Sequence, residues 1–319
     1  MEFATLGRTG LKVSVAGLGC GGSSRLGLTA GHSETHCVGI VRQAVDQGVN
    51  LIDTAKAYGT EPVVGAALKF IARESVIVST KQKVAQGKVL TPAAEIVAGL
   101  DNSLKSLGTD YVDIFFLHTV LPDAYGHVTQ EVVPALLRER EKGKFRFLGI
   151  TEMPPRDSRH EMLQRALDDD DWDVFMLAFH MLGQNARHTV FPATQSRSIG
   201  TLIMFAVRSL FSTPGRLQQD IKMLAAEGKV PAWLAEKSQP LDFLFHEGGV
   251  QSIIEAAYRY ARHEPGANVV LFGTSNPAHV ESNIKAILAP PLPPADIQKI
   301  GEFFGKLEGV GLDEPNLAP

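Results

Sequence analysis

The sequence predicts an α/β fold, a (β/α)₈ TIM barrel with an N-terminal β-hairpin, a long loop after the seventh strand and a C-terminal helix. Three observations predict it. Eight short apolar runs follow one another along the chain, the runs are continuous rather than alternating, and helix-length segments separate most of them. Continuous apolar runs mark parallel strands covered on both faces. Strand and helix alternating eight times favour closure over an open sheet. No linker composition divides the chain, so residues 1–319 are expected to form one barrel domain.

The elements justify themselves in order. A ribbon comes first, residues 3–6 against 12–13 around Arg8-Thr9-Gly10, placed to cap the barrel floor. The strand candidates are residues 15–20, 49–53, 76–81, 112–118, 145–151, 174–179, 201–205 and 269–273. Thr91-Pro92 places a capping hydroxyl before a proline at a helix start, and Asn276-Pro277 repeats the device. Gly108 and Gly143 stand where two helices should stop. Residues 207–248 are too long for an ordinary connection and should carry helices of their own, an insertion of the kind that shapes active sites. The acidic run 168–171 lacks the spaced ligands and turn glycine of a cation loop and reads as solvated. The proline-rich stretch 289–294 reads as a stiff connection into a final helix, residues 295–307.

Composition narrows the function classes. A chain of 319 residues, 44% hydrophobic, can bury one large core or two modest ones. A net charge of −4 leaves no basic excess to neutralise a phosphate backbone, which argues against a nucleic-acid partner. The most apolar stretches, such as residues 112–117, fall far short of the roughly 20 residues a spanning helix needs, so no membrane partner is expected. The first residues show no basic start followed by an apolar run. Two cysteines, Cys20 and Cys37, make no disulfide framework and suggest reduced thiols in a cytoplasmic protein. Cys20, between glycines after a strand, reads as a small residue at a tight turn. The oligomeric state is not written in the sequence.

Four residues carry the chemistry. Asp53 ends the second strand, Lys81 the third and His118 the fourth, while Tyr58 lies in the loop just after the second. Barrel strand ends converge on the face where barrel enzymes work. A buried lysine or aspartate needs a partner, and here each can partner the other. Reducing a carbonyl by hydride leaves an alkoxide that must take a proton. A tyrosine can supply it if a nearby ammonium lowers its pKa, with a carboxylate holding that ammonium in place. His118 can orient the carbonyl by a hydrogen bond and share in the relay. Any one of the four alone would be assigned to structure. Together they point to a site.

Residues 50–68 (NLIDTAKAYGTEPVVGAAL) resemble the signature of the aldo-keto reductase superfamily. Ser79-Thr80-Lys81, Asp113 to His118, the opening Leu6-Gly7-Arg8-Thr9-Gly10-Leu11, Phe147-Leu148-Gly149-Ile150 and residues 272–283 (FGTSNPAHVESN) extend the likeness over nearly the whole chain. The resemblance implies a (β/α)₈ barrel that binds NADP or NAD without a glycine-rich Rossmann loop. It implies Tyr58 as acid/base, Lys81 and Asp53 as its tuners and His118 as the substrate-orienting group. The cofactor-binding positions it offers are Gly21, Thr151, Glu152, Met176, Phe205, Gly273, Thr274, Ser275, His279 and Asn283.

Two regions depart from the family pattern. The Ser-Asn pair and the Gln that usually hold the nicotinamide carboxamide are replaced by Thr151, Glu152 and Met176. A hydroxyl and a carboxylate can still take part, but a methionine cannot hydrogen-bond usefully. Phe205 takes the place of the aromatic that stacks on the ring. Where members preferring the 2′-phosphorylated cofactor carry Lys or Arg, this chain has Gly273 and His279, and a histidine gives no bidentate fork. Asn283 matches and is placed to read the adenine, while Glu281 favours a free ribose hydroxyl. The expectation is an NAD(P)-dependent oxidoreductase acting on a small carbonyl or sugar-type hemiacetal, with little cofactor discrimination. The alternative is a cofactor-binding regulatory or accessory subunit on the same barrel. An unrelated barrel hydrolase or isomerase fits least, because its carboxylates or metal ligands are missing from the other strand ends.

Overall fold

The computed structural model describes residues 1–313. Eight parallel strands close on themselves: β1 (Ala16–Gly19), β2 (Leu51–Asp53), β3 (Ile77–Lys83), β4 (Val112–Val120), β5 (Phe145–Glu152), β6 (Val174–Ala178), β7 (Gly200–Met204) and β8 (Val269–Phe272). Each pairs with the next in chain order, and β8 returns to β1 through Val270 opposite Ala16. Every expected strand is present in its expected place. The N-terminal ribbon is there too, Phe3–Thr5 antiparallel to Lys12–Ser14.

Side chains pointing into the barrel explain where the site lies. Leu51, Ile77, Ile114, Val174, Leu202 and Val269 pack together inside, and Leu6, Leu11 and Val13 of the ribbon segment join them from below. Strand side chains alternate between faces, so residues two apart share one. Counting upward from that apolar layer gives Asp53 on β2, Ser79 then Lys81 on β3, and Phe116 then His118 on β4. The inward face thus turns from apolar to ionic toward the carboxyl end. Gly149 on β5 makes this filling possible, because a Cβ there would stand 2.3 Å from the Phe116 ring.

Helices cover the outside, and their ends follow local chemistry. Ser33 accepts from the His36 amide at the start of Glu34–Asp46, and Ser252 accepts from the Glu255 amide at the start of Ile253–Arg262. Asn276 caps Pro277–Leu288 as expected. Thr91 does not cap Ala93–Leu107. Pro92 itself holds the cap position, its carbonyl accepting from Glu95 and Ile96, and no side chain completes the cap. Gly108 takes the left-handed conformation that ends this helix, with φ +64°. The long connection after β7 carries Ser209–Ser212, Arg216–Ala226 and Ala232–Glu236, so it forms helices of its own as expected. The final helix runs from Pro294 to Phe304.

The acidic run is used structurally: Tyr125 donates its hydroxyl to Asp169, and Arg197 pairs with Asp170 at 2.5 Å. Among the described residues no cluster of His, Cys, Asp and Glu could hold a metal ion, and no helix is long and apolar enough to cross a membrane.

Candidate active site

Tyr58, Lys81, Asp53 and His118 meet at the carboxyl-end mouth. Lys81 and Asp53 are both buried, with the Lys81 Nζ 2.7 and 2.6 Å from the two carboxylate oxygens and 2.8 Å from the Thr54 carbonyl. Ser79, opposite Asp53 in the β2–β3 register, donates its hydroxyl to the same carboxylate at 2.6 Å. The ammonium lies 5.0 Å from the centre of the Tyr58 ring. Across the mouth the Tyr58 hydroxyl is 3.4 Å from His118 Nε2, the rings meeting edge to face at 86°. That hydrogen bond is long, as is common before a substrate tightens the site.

The loop bearing Tyr58 is held from several sides. Residues Lys56–Tyr58 make one tight turn closed by Gly59 at φ +70°, a left-handed position that a side chain would strain. The Thr54 and Thr60 hydroxyls bond at 2.8 Å, and Thr80, next to Lys81, donates to buried Glu61 at 2.5 Å. Gly21 lies against the phenol: a Cβ there would stand 2.5 Å from the Tyr58 ring. Its smallness makes room for Tyr58.

Burial dominates the electrostatics. It pushes the Tyr58 phenol above its ordinary range, with Lys81 pulling back and Asp53 adding to the rise. The expected lowering by Lys81 is present but is outweighed, because removing a phenolate from water costs more than one paired ammonium returns. The phenol therefore holds its proton at neutral pH. For Lys81 burial acts downward, but the Asp53 charge, the Tyr58 phenol and their hydrogen bonds leave it above its ordinary value. Burial, then the nearby Lys81 and Lys83 charges, hold His118 well below the ordinary histidine range. A neutral imidazole offers one N–H, and its buried Nδ1 has no hydrogen-bond partner among the described residues.

Thr119, next to His118, sits at φ +55°, a rare conformation for a β-branched residue. Its amide donates to the Thr151 hydroxyl at 2.9 Å, where the β4–β5 pairing slips between Leu117 and Val120. Of the positions expected to hold a carboxamide, Thr151 is thus committed to the backbone beside His118. Glu152 is buried and doubly engaged, accepting from the Ala178 amide at 2.9 Å and bonding His160 Nδ1 at 2.6 Å. Met176 packs in the apolar barrel interior. Phe205 stands just past the end of β7 at φ +66°, with the Arg208 guanidinium 4.1 Å from its ring centre.

At the other end, Thr274 is buried and its hydroxyl accepts from the Asn276 amide, while Ser275 is half-buried. Its carbonyl bonds His36 Nε2 at 2.7 Å. Gly273 packs against β1, where a Cβ would come 2.9 Å from the Gly19 carbonyl, and His279 is exposed beside Asn276. Asn283 is half-buried on the same helix. Glu152 thus spends both carboxylate oxygens on the protein and Thr151 keeps only its hydroxyl proton to offer, whereas the loop and helix after β8 keep groups open to a ligand.

Sequence reasoning assigned no site role to Ser79, Thr54 or His160. Ser79 was recoverable, lying two residues before Lys81 on the same strand face. His160 was not, since it reaches Glu152 only through the fold. For His160 burial acts downward, but the Glu152 charge and hydrogen bond win and raise its pKa. A raised folded pKa adds stability that is complete below the ordinary histidine value near 6.5 and lost as pH climbs through the folded value. The urea midpoint should therefore fall over that interval, and His160→Gln should flatten the profile; an identical slope in the variant would refute the assignment.

The Aldo/keto reductase family pattern matches residues 18–304. L-galactose dehydrogenase of Arabidopsis thaliana is 27% identical, aligned over 100% of this chain and 92% of its own. Aldo-keto reductase YhdN of Bacillus subtilis is 28% identical over 88% and 87%, respectively. A putative voltage-gated potassium channel subunit beta of Schizosaccharomyces pombe is 26% identical over 95% and 93%. The holo form of aldo-keto reductase AKR11C1 from Bacillus halodurans shares the fold, with a TM-score of 0.74, 23% identity and coverage of 98% of this chain and 100% of that one. With this fold and a match over most of its length, the chain belongs to the aldo/keto reductase family of oxidoreductases.

Proposed function

We propose that the chain is an NAD(P)-dependent oxidoreductase that interconverts an aldehyde, ketone or sugar hemiacetal with an alcohol or lactone, Tyr58 acting as acid/base. One observation carries the reading: the Tyr58 hydroxyl stands 3.4 Å from His118 Nε2, above a buried Lys81–Asp53 pair. A bound reduced nicotinamide would supply the hydride. The protein's own residues do the rest. His118 offers an N–H to orient the carbonyl oxygen, and Tyr58 releases its proton to that oxygen as negative charge develops. The Lys81 ammonium, fixed by Asp53 and Thr54, stabilises the phenolate left behind. Burial of Asp53, Lys81 and His118 beneath the half-buried Tyr58 restricts water and strengthens each interaction. The reading takes the chain as one cytoplasmic barrel domain with neither nucleic acid nor membrane as partner, in keeping with two buried free cysteines and a net charge of −4.

Oxidation of NADPH or NADH, followed by absorbance against a panel of aldehydes, ketones and sugars, tests the assignment. Turnover with at least one class is expected. The competing reading, a barrel that binds dinucleotide and serves as an accessory subunit, draws on the engaged Glu152 and the apolar Met176. It predicts dinucleotide binding without turnover across the whole panel.

The reading places the dinucleotide against Gly273, Thr274, Ser275, His279 and Asn283, and no Lys or Arg lies within the stretch from Gly273 to Asn283. Glu281 there is exposed, and Asn276 already caps the helix. NADP and NAD should thus bind with similar affinity. A fluorescence titration that separates them strongly would reject this.

A further inference from the structure

His246 meets a hydrogen-bond acceptor on both sides of its ring. Its Nδ1 stands 2.9 Å from the Glu247 carbonyl and its Nε2 2.9 Å from the Asp296 carboxylate. A neutral imidazole carries one N–H, so it can donate to one of these acceptors. Donating to both takes the doubly protonated ring. His246 is exposed, whereas Asp296 is buried in the first turn of the C-terminal helix. The pair thus joins the far end of the insertion after β7 to that helix.

The rest of this junction does not titrate near neutral pH. Trp233 and Phe243 each meet the Phe303 ring edge to face, their centres 5.5 and 5.8 Å away. Beyond Phe243 the chain makes a tight turn, with the Val250 amide donating to the Leu244 carbonyl and the Gly249 amide to that of His246. Asp296 and Lys299 act on the imidazole from the C-terminal helix, and Glu247 flanks it on its own turn. Arg259, on Ile253–Arg262, is taken up by Glu255 and by the carbonyls of Gly249, Pro290 and Pro291. Lys237, nearer the start of the insertion, pairs with Asp242 at 2.6 Å.

We propose that His246 and Asp296 form a pH-sensitive clasp, which docks residues 242–250 on the C-terminal helix while the imidazole is charged and slackens as the ring loses a proton. The neutral ring must release either the Glu247 carbonyl or the buried carboxylate. The bond to Glu247, then the bond and charge of Asp296, raise the His246 pKa against desolvation and the Lys299 charge. A raised folded pKa gives docking that is complete below the ordinary histidine value near 6.5 and lost as pH climbs through the folded value. The insertion springs from the carboxyl end of β7, so the clasp sets how firmly a segment rooted at the barrel mouth is held. This goes beyond the reductase reading and does not depend on it.

Amide hydrogen exchange of the full chain, at about pH 5.5 and about pH 8.5 on either side of the histidine range, tests the clasp without turnover. After correction for the intrinsic effect of pH, protection of residues 242–250 should be roughly 1.5–5-fold higher at the lower pH, the range of an exposed ion pair. His246→Gln, a surface change, should hold the lower protection at both pH values. Residues 112–117 of β4 are the internal reference for global stability. A proton NMR titration, with the His246 signal identified by its loss in His246→Gln, should give a midpoint above 6.5 that falls in Asp296→Asn. Equal protection at the two pH values, a change that persists in His246→Gln or is shared by β4, or a midpoint unmoved by Asp296→Asn would overturn the inference.

Discussion

Tyr58→Phe is expected to lower turnover by roughly 10²–10⁴-fold or more, the usual loss of a positioned acid. Dinucleotide affinity should be nearly unchanged. The substitution removes one hydroxyl and leaves the ring, so the packing against Gly21 and the ammonium 5.0 Å from the ring centre persist. The loop keeps its shape as well, because the Thr54–Thr60 bond and the Gly59 turn owe nothing to the phenol oxygen. Steady-state kinetics with parallel fluorescence titration checks the result. Wild-type rates in the variant would mean that the proton comes from elsewhere, and His118 could not easily replace it, since burial keeps the imidazole neutral.

Lys81→Met should be the most damaging substitution for stability. Among the described residues it leaves the buried Asp53 carboxylate with only the Ser79 hydroxyl as a side-chain donor, and the Thr54 carbonyl without the ammonium. Breaking a buried pair from one side costs about 3–5 kcal/mol. Urea denaturation measures this directly. Asp53→Asn combined with Lys81→Met should recover part of the loss, because no uncompensated charge remains. If the double variant is as unstable as the single one, the pair is not the source of the cost. Activity should fall in both, as neither retains the ammonium beside Tyr58.

The barrel was legible because its determinants are local and repeat. Runs such as residues 112–118 carry their own period, and Gly108 announces a helix end without help from distant residues. The four residues at the mouth were legible for the same reason, since Asp53 ends β2 and Lys81 and His118, expected as the ends of β3 and β4, lie two residues short of them. Thr91-Pro92 misled because a proline can occupy the cap itself. The direction of the Tyr58 shift was out of reach, as it depends on how thoroughly the neighbours bury the ring. The ties of Glu152 to His160, and of Thr151 to Thr119, join residues whose meeting depends on the closed barrel. A sequence can name a carboxylate or a hydroxyl, but not what already occupies it.

The fastening of the Thr119 amide to Thr151 has a mechanical corollary. The imidazole is carried on a backbone kink that is held in place by the adjacent strand, so its aim is inherited from β5 as much as from β4. A conformation of this kind stores about 1–3 kcal/mol and persists only while its clamp holds. Removing one methyl-sized hydroxyl from the neighbour would let the kink relax and swing the ring, altering the chemistry of a residue that the change never touches.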